Sequence, residues 1–220
     1  MTPAPTPASC GFTLEHYREI LRAARAGGYR FATFDAPPRP GDLLLRHDVD
    51  LSLAAALTVA AVEAEERAPA TYFLMTRSVF YNLASKEGED AIGRLRELGH
   101  RIAHHAVWPH VDLDERFERV VAWHNPDPEF MQAEIEGAVN VMREPFFDRE
   151  HYRSDSNQRW RHGCPHEALA RGEPEWLQLL VHPEIWAYPG GTMGESMASF
   201  LEADRAARRE HLRHDRIDLS

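Results

Sequence analysis

Cysteine is scarce: 220 residues contain two, Cys10 and Cys164. One stands in a Thr/Pro/Ala-rich leader and the other in a Gly/Pro-containing loop, so no disulfide framework is implied and both thiols read as free. Basic charge is also in short supply. Asp plus Glu number 35 against 25 Lys plus Arg, a formal charge of −10, and no basic stripe gathers locally. Binding a phosphate backbone needs clustered cations that release counterions, so a nucleic-acid partner is not expected. No apolar run approaches the ~20 residues needed to span a bilayer. The leader Met1–Ser9 carries neither the basic segment nor the apolar stretch of an export signal. A cytoplasmic protein without a membrane span is the expectation. A phosphate-binding Gly-rich loop and a Lys/Arg clamp are missing as well, which sets aside a metal phosphoesterase.

What is present is enough apolar sequence, 43%, to bury one substantial core, and single α/β barrels commonly have this length. Residues 1–11 read as a disordered leader because they offer almost nothing to bury, leaving one domain over residues 12–220. Thr13 is placed to cap a helix whose apolar stripe is Tyr17, Ile20, Leu21 and Ala24, ended by Gly27-Gly28. A short strand over Tyr29–Phe34 precedes a proline-rich turn. Leu43–His47 reads as a buried strand, Leu51–Glu66 as an Ala-rich helix starting near Ser52, and Ala70–Met75 as a second strand, together a βαβ unit. The alternation continues with a helix over Asp90–Leu98, strands at Arg101–His104 and Val120–Trp123, and a helical pattern over Glu129–Met142. Strands at His151–Asp155 and Leu177–Val181 and a charged closing helix over Glu195–Leu212 complete it. Such alternation favours a parallel sheet with helices outside, open or closed into a barrel.

Ionisable residues stand at the C-terminal end of the strands: Asp48 and Asp50, His104 and His105, His124, Asp155 and His182. In α/β barrels the active site is assembled at that end, where the βα loops converge. Side chains alternate along a strand, so Asp48 and Asp50 leave one face while Val49 turns away. One carboxylate could bind a metal and the other move protons. His100 and His104 could add two imidazoles, and two imidazoles with one carboxylate leave a tetrahedral position open for water, as in a catalytic zinc site. His105 is a further candidate that spacing does not exclude. His47 is either a support for the site or a structural residue, and Arg46 a buried ion partner. His124, followed by Asn125-Pro126, is a substrate contact or a packing residue. Asp155 sits in Arg153-Ser154-Asp155-Ser156-Asn157, where turn chemistry competes with function. His182, where a buried strand emerges before Pro183, reads as a proton donor facing the pocket, and Trp186 either closes over a sugar ring or packs.

The segments Arg46-His47-Asp48-Val49-Asp50, Gly99-His100-x3-His104 and Leu179-x-x-His182-Pro183 together resemble the polysaccharide deacetylase family, also called the NodB-homology or carbohydrate esterase 4 group. Ala70-Thr71-Tyr72-Phe73-Leu74, Tyr152-Arg153-Ser154-Asp155-Ser156 and Val181-His182-Pro183-Glu184-Ile185-Trp186 look like a divergent branch of it. The resemblance implies a single deformed (β/α)7 barrel and a divalent metal, usually Zn2+ and sometimes Co2+, Ni2+ or Fe2+. It matches Asp48 to the catalytic base, Asp50, His100 and His104 to the metal ligands, and His182 to the general acid. Arg153 and Asp155 would take orienting roles, although the family's arginine-proline and aspartate-tryptophan segments are absent in standard form. The implied reaction is removal of an N-acetyl group from a sugar. With no export signal, the expected substrate is a nucleotide-linked or lipid-linked glycan precursor rather than finished wall polymer. The alternatives are a C–N hydrolase acting on a small cyclic amide or imide, and a catalytically silent carbohydrate-binding barrel.

Overall fold

The strand expected around Leu45 is β2 (Asp42–Val49), whose eight residues are all buried. A strand covered on both faces must carry apolar residues in both registers, and Leu43, Leu44 and Leu45 do so. The computed structural model describes residues 11–217; the leader expected over residues 1–11 lies, apart from Gly11, outside them. The chain opens with α1 (Leu14–Ala26), capped by Thr13, which accepts the His16 N–H. Next come β1 (Arg30–Ala32), β2, α2 (Leu53–Glu65), β3 (Thr71–Leu74), α3 (Lys86–Glu97) and β4 (Arg101–Ala106). The remaining elements are β5 (Val120–Trp123), β6 (Val139–Asn140), β7 (Tyr152–Ser154), α4 (His166–Ala170), β8 (Leu177–Val181), α5 (Pro183–Ala187) and α6 (Met193–His214).

All pairings between these strands are parallel, in the order β6-β5-β4-β3-β2-β8-β7. The sheet curls into a half-barrel compatible with a TIM-like barrel. β1 pairs with the first part of β2 (Arg30↔Asp42), and β3 takes the later part of the same edge (Arg46↔Thr71). Register fixes the faces. Leu43, Leu45, Val49, Tyr72, Leu74, Leu179 and Val181 point outward into the core shared with α1 and α2. Leu44, Phe73, Ala103 and Ala122 line the concave side with Phe34 and Phe146.

The expected elements recur with shifted ends. α3 starts at Lys86 because Ser85 caps it, accepting the Gly88 N–H, and the closing helix starts at Met193 because Thr192 caps it. One expectation fails: residues 129–142 form no helix but turns leading into β6. Gly137 takes φ +72, and the buried Asn140 amide donates to the carbonyls of Met131 and Ala133, satisfying backbone groups that a helix would have paired along its own axis. No helix among the described residues is long and apolar enough to cross a membrane.

Candidate metal centre and acid pair

Alternation along β2 puts Arg46 and Asp48 on the concave face, and Asp50 follows in the same register. Parallel pairing carries that face across the sheet, since Asp48 is level with Phe73 and Phe73 with Ala103, so that His105, two residues on, also points inward. His105 is level with Ala122, and His124 again lies two residues beyond. Three strand ends thus deliver Asp50, His105 and His124 to one place.

There, Asp50 Oδ1 lies 3.0 Å from His105 Nε2 and 3.1 Å from His124 Nδ1, and the two ring nitrogens are 3.1 Å apart. Asp50, His105 and His124 form a group able to hold a metal ion. A tetrahedral ion with bonds of roughly 2.0–2.1 Å holds its ligands about 3.3 Å apart, so this triangle needs only slight opening to accept one. Asp50 Oδ1 is buried yet has no hydrogen-bond partner of good geometry, an arrangement suited to lone pairs converging on a common point. His105 Nδ1 faces the Ala122 carbonyl at 3.1 Å; a carbonyl only accepts, so the proton sits on Nδ1 and the Nε2 lone pair is left for the site. Burial pushes the Asp50 carboxyl toward a higher pKa, but contact with the two imidazoles outweighs it and holds Asp50 well below the usual carboxylate range.

Asp48 lies beside the triangle, 3.7 Å from His105 Nε2. Arg46, the expected buried ion partner, grips it through two contacts, Nε to Oδ1 at 2.8 Å and Nη2 to Oδ2 at 2.6 Å. Arg46 Nη1 also donates to Gln178 Oε1 at 3.2 Å, and its guanidinium sits 5.5 Å above the Phe73 ring. Burial raises the Asp48 pKa, and the charge and hydrogen bonds of Arg46 together with His105 and His182 more than reverse this, so Asp48 stays ionised.

Across β8, Asp155 is fully buried and collects three donors. The His182 backbone N–H lies at 3.0 Å, His182 Nδ1 at 2.6 Å and Trp186 Nε1 at 2.7 Å. Burial pushes the His182 imidazole down, but Asp155, with Asp48 and Asp50 farther off, carries it up to about 10. His182 is therefore an imidazolium near neutral pH, with Nδ1 anchored and Nε2 left to act as a donor.

Several expected site residues lie elsewhere. His100 and His104 do share a face, but it is the convex one. The Ala70 N–H donates to His100 Nδ1 at 3.2 Å and Nε2 meets the Ala60 carbonyl at 3.1 Å. The Asp114 N–H donates to His104 Nε2 at 2.8 Å, and Nδ1 faces the Val120 carbonyl at 3.4 Å. Every ring nitrogen in this pair is engaged by backbone, so neither residue joins the triangle. Burial lowers both pKa values, leaving neutral structural imidazoles. His105, one residue past His104, stands where the pair was expected, and His124, expected as a substrate contact, joins the group that could hold a metal ion. Arg153 faces away from the His182–Asp155 pair, level with outward-facing Leu179, and donates to the carbonyls of Glu150 and Tyr152. Arg46 orients Asp48 in its stead. Trp186 is core: its ring lies 5.1 Å from Tyr17 and 5.2 Å from Phe12, and it steadies Asp155 rather than covering a sugar. His47 belongs to a convex-face network around fully buried Glu63, which contacts His47 Nε2 at 2.6 Å, Tyr17 Oη at 2.5 Å and Tyr72 Oη at 2.6 Å.

Gln178 and Glu63 were missed by sequence reasoning. Gln178 and Glu63 stand at apolar-face positions of a strand and a helix, where a lone polar residue among leucines and alanines is itself a sign of a buried partner. No family model, no curated protein and no solved structure matches this chain.

Proposed function

We propose that the protein is a metal-dependent amide hydrolase that removes the N-acetyl group from a sugar or glycan precursor, on a barrel related to the deformed (β/α)7 architecture of the polysaccharide deacetylases. The observation that carries this reading is the Asp50–His105–His124 triangle with the Arg46-held Asp48 at its side. Two imidazoles and one carboxylate with a position left over form the donor set of catalytic zinc, and also suit Co2+, Ni2+ or Fe2+. A divalent ion held there supplies Lewis acidity and makes bound water a nucleophile near neutral pH.

This chain's residues supply the proton traffic. Asp48 takes a proton from the attacking water. Its clamp by Arg46 makes it a weak base, which suits transient holding of a proton. An amine is a poor leaving group unless protonated, and His182 donates the proton that releases it. Asp155 keeps His182 oriented and charged, so a carboxylate base and an imidazolium acid coexist at one pH. Water and amide become acetate and free amine. The burial of Trp186 takes away the ring on which a silent carbohydrate-binding barrel would have depended.

Metal content and acetate release from a panel of N-acetylated sugars test this together. The parent is expected to bind about one divalent ion per chain and to lose activity on chelation. His105→Ala loses the metal, whereas His104→Gln keeps it. Asp48→Asn keeps the metal and loses about 10²–10⁴-fold in kcat. Equal metal retention in His105→Ala and the parent, or equal acetate release from Asp48→Asn and the parent, would sink the assignment.

A further inference from the structure

A cavity of ≈ 550 Å³ lies beside β7, outside the metal triangle, with Arg149, Arg161, Trp160, Tyr152 and Ser154 in its wall. Register puts Tyr152 and Ser154 on the concave face, level with Gln178 and Leu180. Ser154 and Ser156, which flank Asp155 in the chain, both line the cavity, while Asp155 turns instead to His182 and Trp186.

Its charge runs against that of the molecule. In a chain of formal charge −10, Arg149 and Arg161 have no ion pair or hydrogen bond among the described residues, whereas Arg18, Arg46, Arg77 and Arg116 each grip a carboxylate. Two guanidiniums without a carboxylate partner in the wall of one cavity suit a planar or tetrahedral oxyanion. Beside them, the Phe147 and Tyr152 rings pack 4.8 Å apart in the same wall. Cation and ring together suit an anion attached to a sugar or base rather than a bare ion. No local basic cluster foretells this, because Arg149 and Arg161 are brought together across β7 from separate loops.

We propose that this cavity binds a phosphate or diphosphate group carried by the substrate, with Arg149 and Arg161 as its anion contacts. The statement that the ligand is a substrate rests on the hydrolase reading; the anion site rests on its own residues.

Titration calorimetry on the metal-loaded protein tests this with four probes: N-acetylglucosamine 1-phosphate, uridine diphosphate-N-acetylglucosamine, farnesyl diphosphate-linked N-acetylglucosamine and galacturonate. At least one phosphorylated probe is expected to bind, and the two diphosphates distinguish a nucleotide carrier from a lipid one. Both arginines are exposed, so Arg149→Ala/Arg161→Ala folds, and it should weaken that binding at least tenfold. Arg119→Ala, an exposed arginine outside the cavity, should leave it unchanged. Phosphate bound at the metal survives in the double variant, which separates the two modes. Equal affinity in the double variant, binding of galacturonate alone, or no binding of any phosphorylated probe overturns the proposal. Acetate release from neutral N-acetylated sugars is read in parallel. Its presence without phosphate binding leaves the hydrolase standing and the cavity refuted; phosphate binding with no acetate from any sugar does the reverse.

Discussion

His182 shows what buried carboxylates do to an imidazole. Its ordinary pKa is 6.5; burial pushes it down, but Asp155, helped by Asp48 and Asp50 farther off, lifts it to about 10 in the folded chain. A raised folded pKa stabilises the protein fully below about pH 6.5, and that contribution is lost as the pH climbs through about 10. Denaturant unfolding of the metal-stripped protein at pH values from about 6.5 to 10 should show this decline, and Asp155→Asn should flatten it. A pH-independent midpoint in the parent would mean that the pair is not charged. The same scale explains the errors at His100 and His104. In a strand a one-residue step changes face, and a Gly-His-x3-His spacing does not say which face is concave. His105 was recognisable as a candidate, but its selection over His104 needed the neighbouring strands.

At the scale of elements, capping and glycine chemistry make opposite predictions for two glycines. Gly93 lies inside α3, and a Cβ there meets nothing within 4 Å. Gly93→Ala should therefore stabilise the fold by about 0.5–1 kcal/mol by limiting the unfolded chain. Gly27 follows α1 where that helix packs on the end of α4, and a Cβ would fall 1.8 Å from the Leu169 carbonyl oxygen. Gly27→Ala should cost about 1–3 kcal/mol as the two backbones separate. Thermal unfolding of both variants decides; a shift of the same sign in each would contradict the packing described. Strand and helix identities were legible wherever a cap or an apolar run marked them, as at Thr13, Ser52 and Leu177–Val181. Residues 129–142 misled because helix-like spacing of apolar residues survives in a stretch that Gly137 and the Asn140 amide hold as turns.

For the molecule as a whole, the curled sheet has two ends, β6 and β7, and Gln178 reaches toward the first from the strand next to the second. Its amide nitrogen donates to the carbonyls of Val141 at 3.1 Å and Phe146 at 2.7 Å, while its oxygen receives Arg46. One side chain thus links the end of β6, the strand beside β7 and the residue that clamps Asp48. Gln178→Leu leaves two carbonyls and an Arg46 donor unsatisfied, at about 1–3 kcal/mol for each buried group. Its urea midpoint should fall, and acetate release should fall with it because Asp48 loses its fixed orientation. An unchanged midpoint would show that the half-barrel ends are held by other contacts.

The sequence alone determined the alternation of strands and helices, the gathering of ionisable residues at strand C-termini, and the common face of Asp48 and Asp50, because periodicity and capping are local properties of the chain. Only the tertiary structure decided which histidines meet Asp50, that Arg46 and not Arg153 grips Asp48, that Trp186 is buried beneath Asp155, and that Arg149 and Arg161 share a cavity. Those outcomes depend on the register between strands and on the direction in which the sheet curls, and both are set by contacts between residues far apart in the chain.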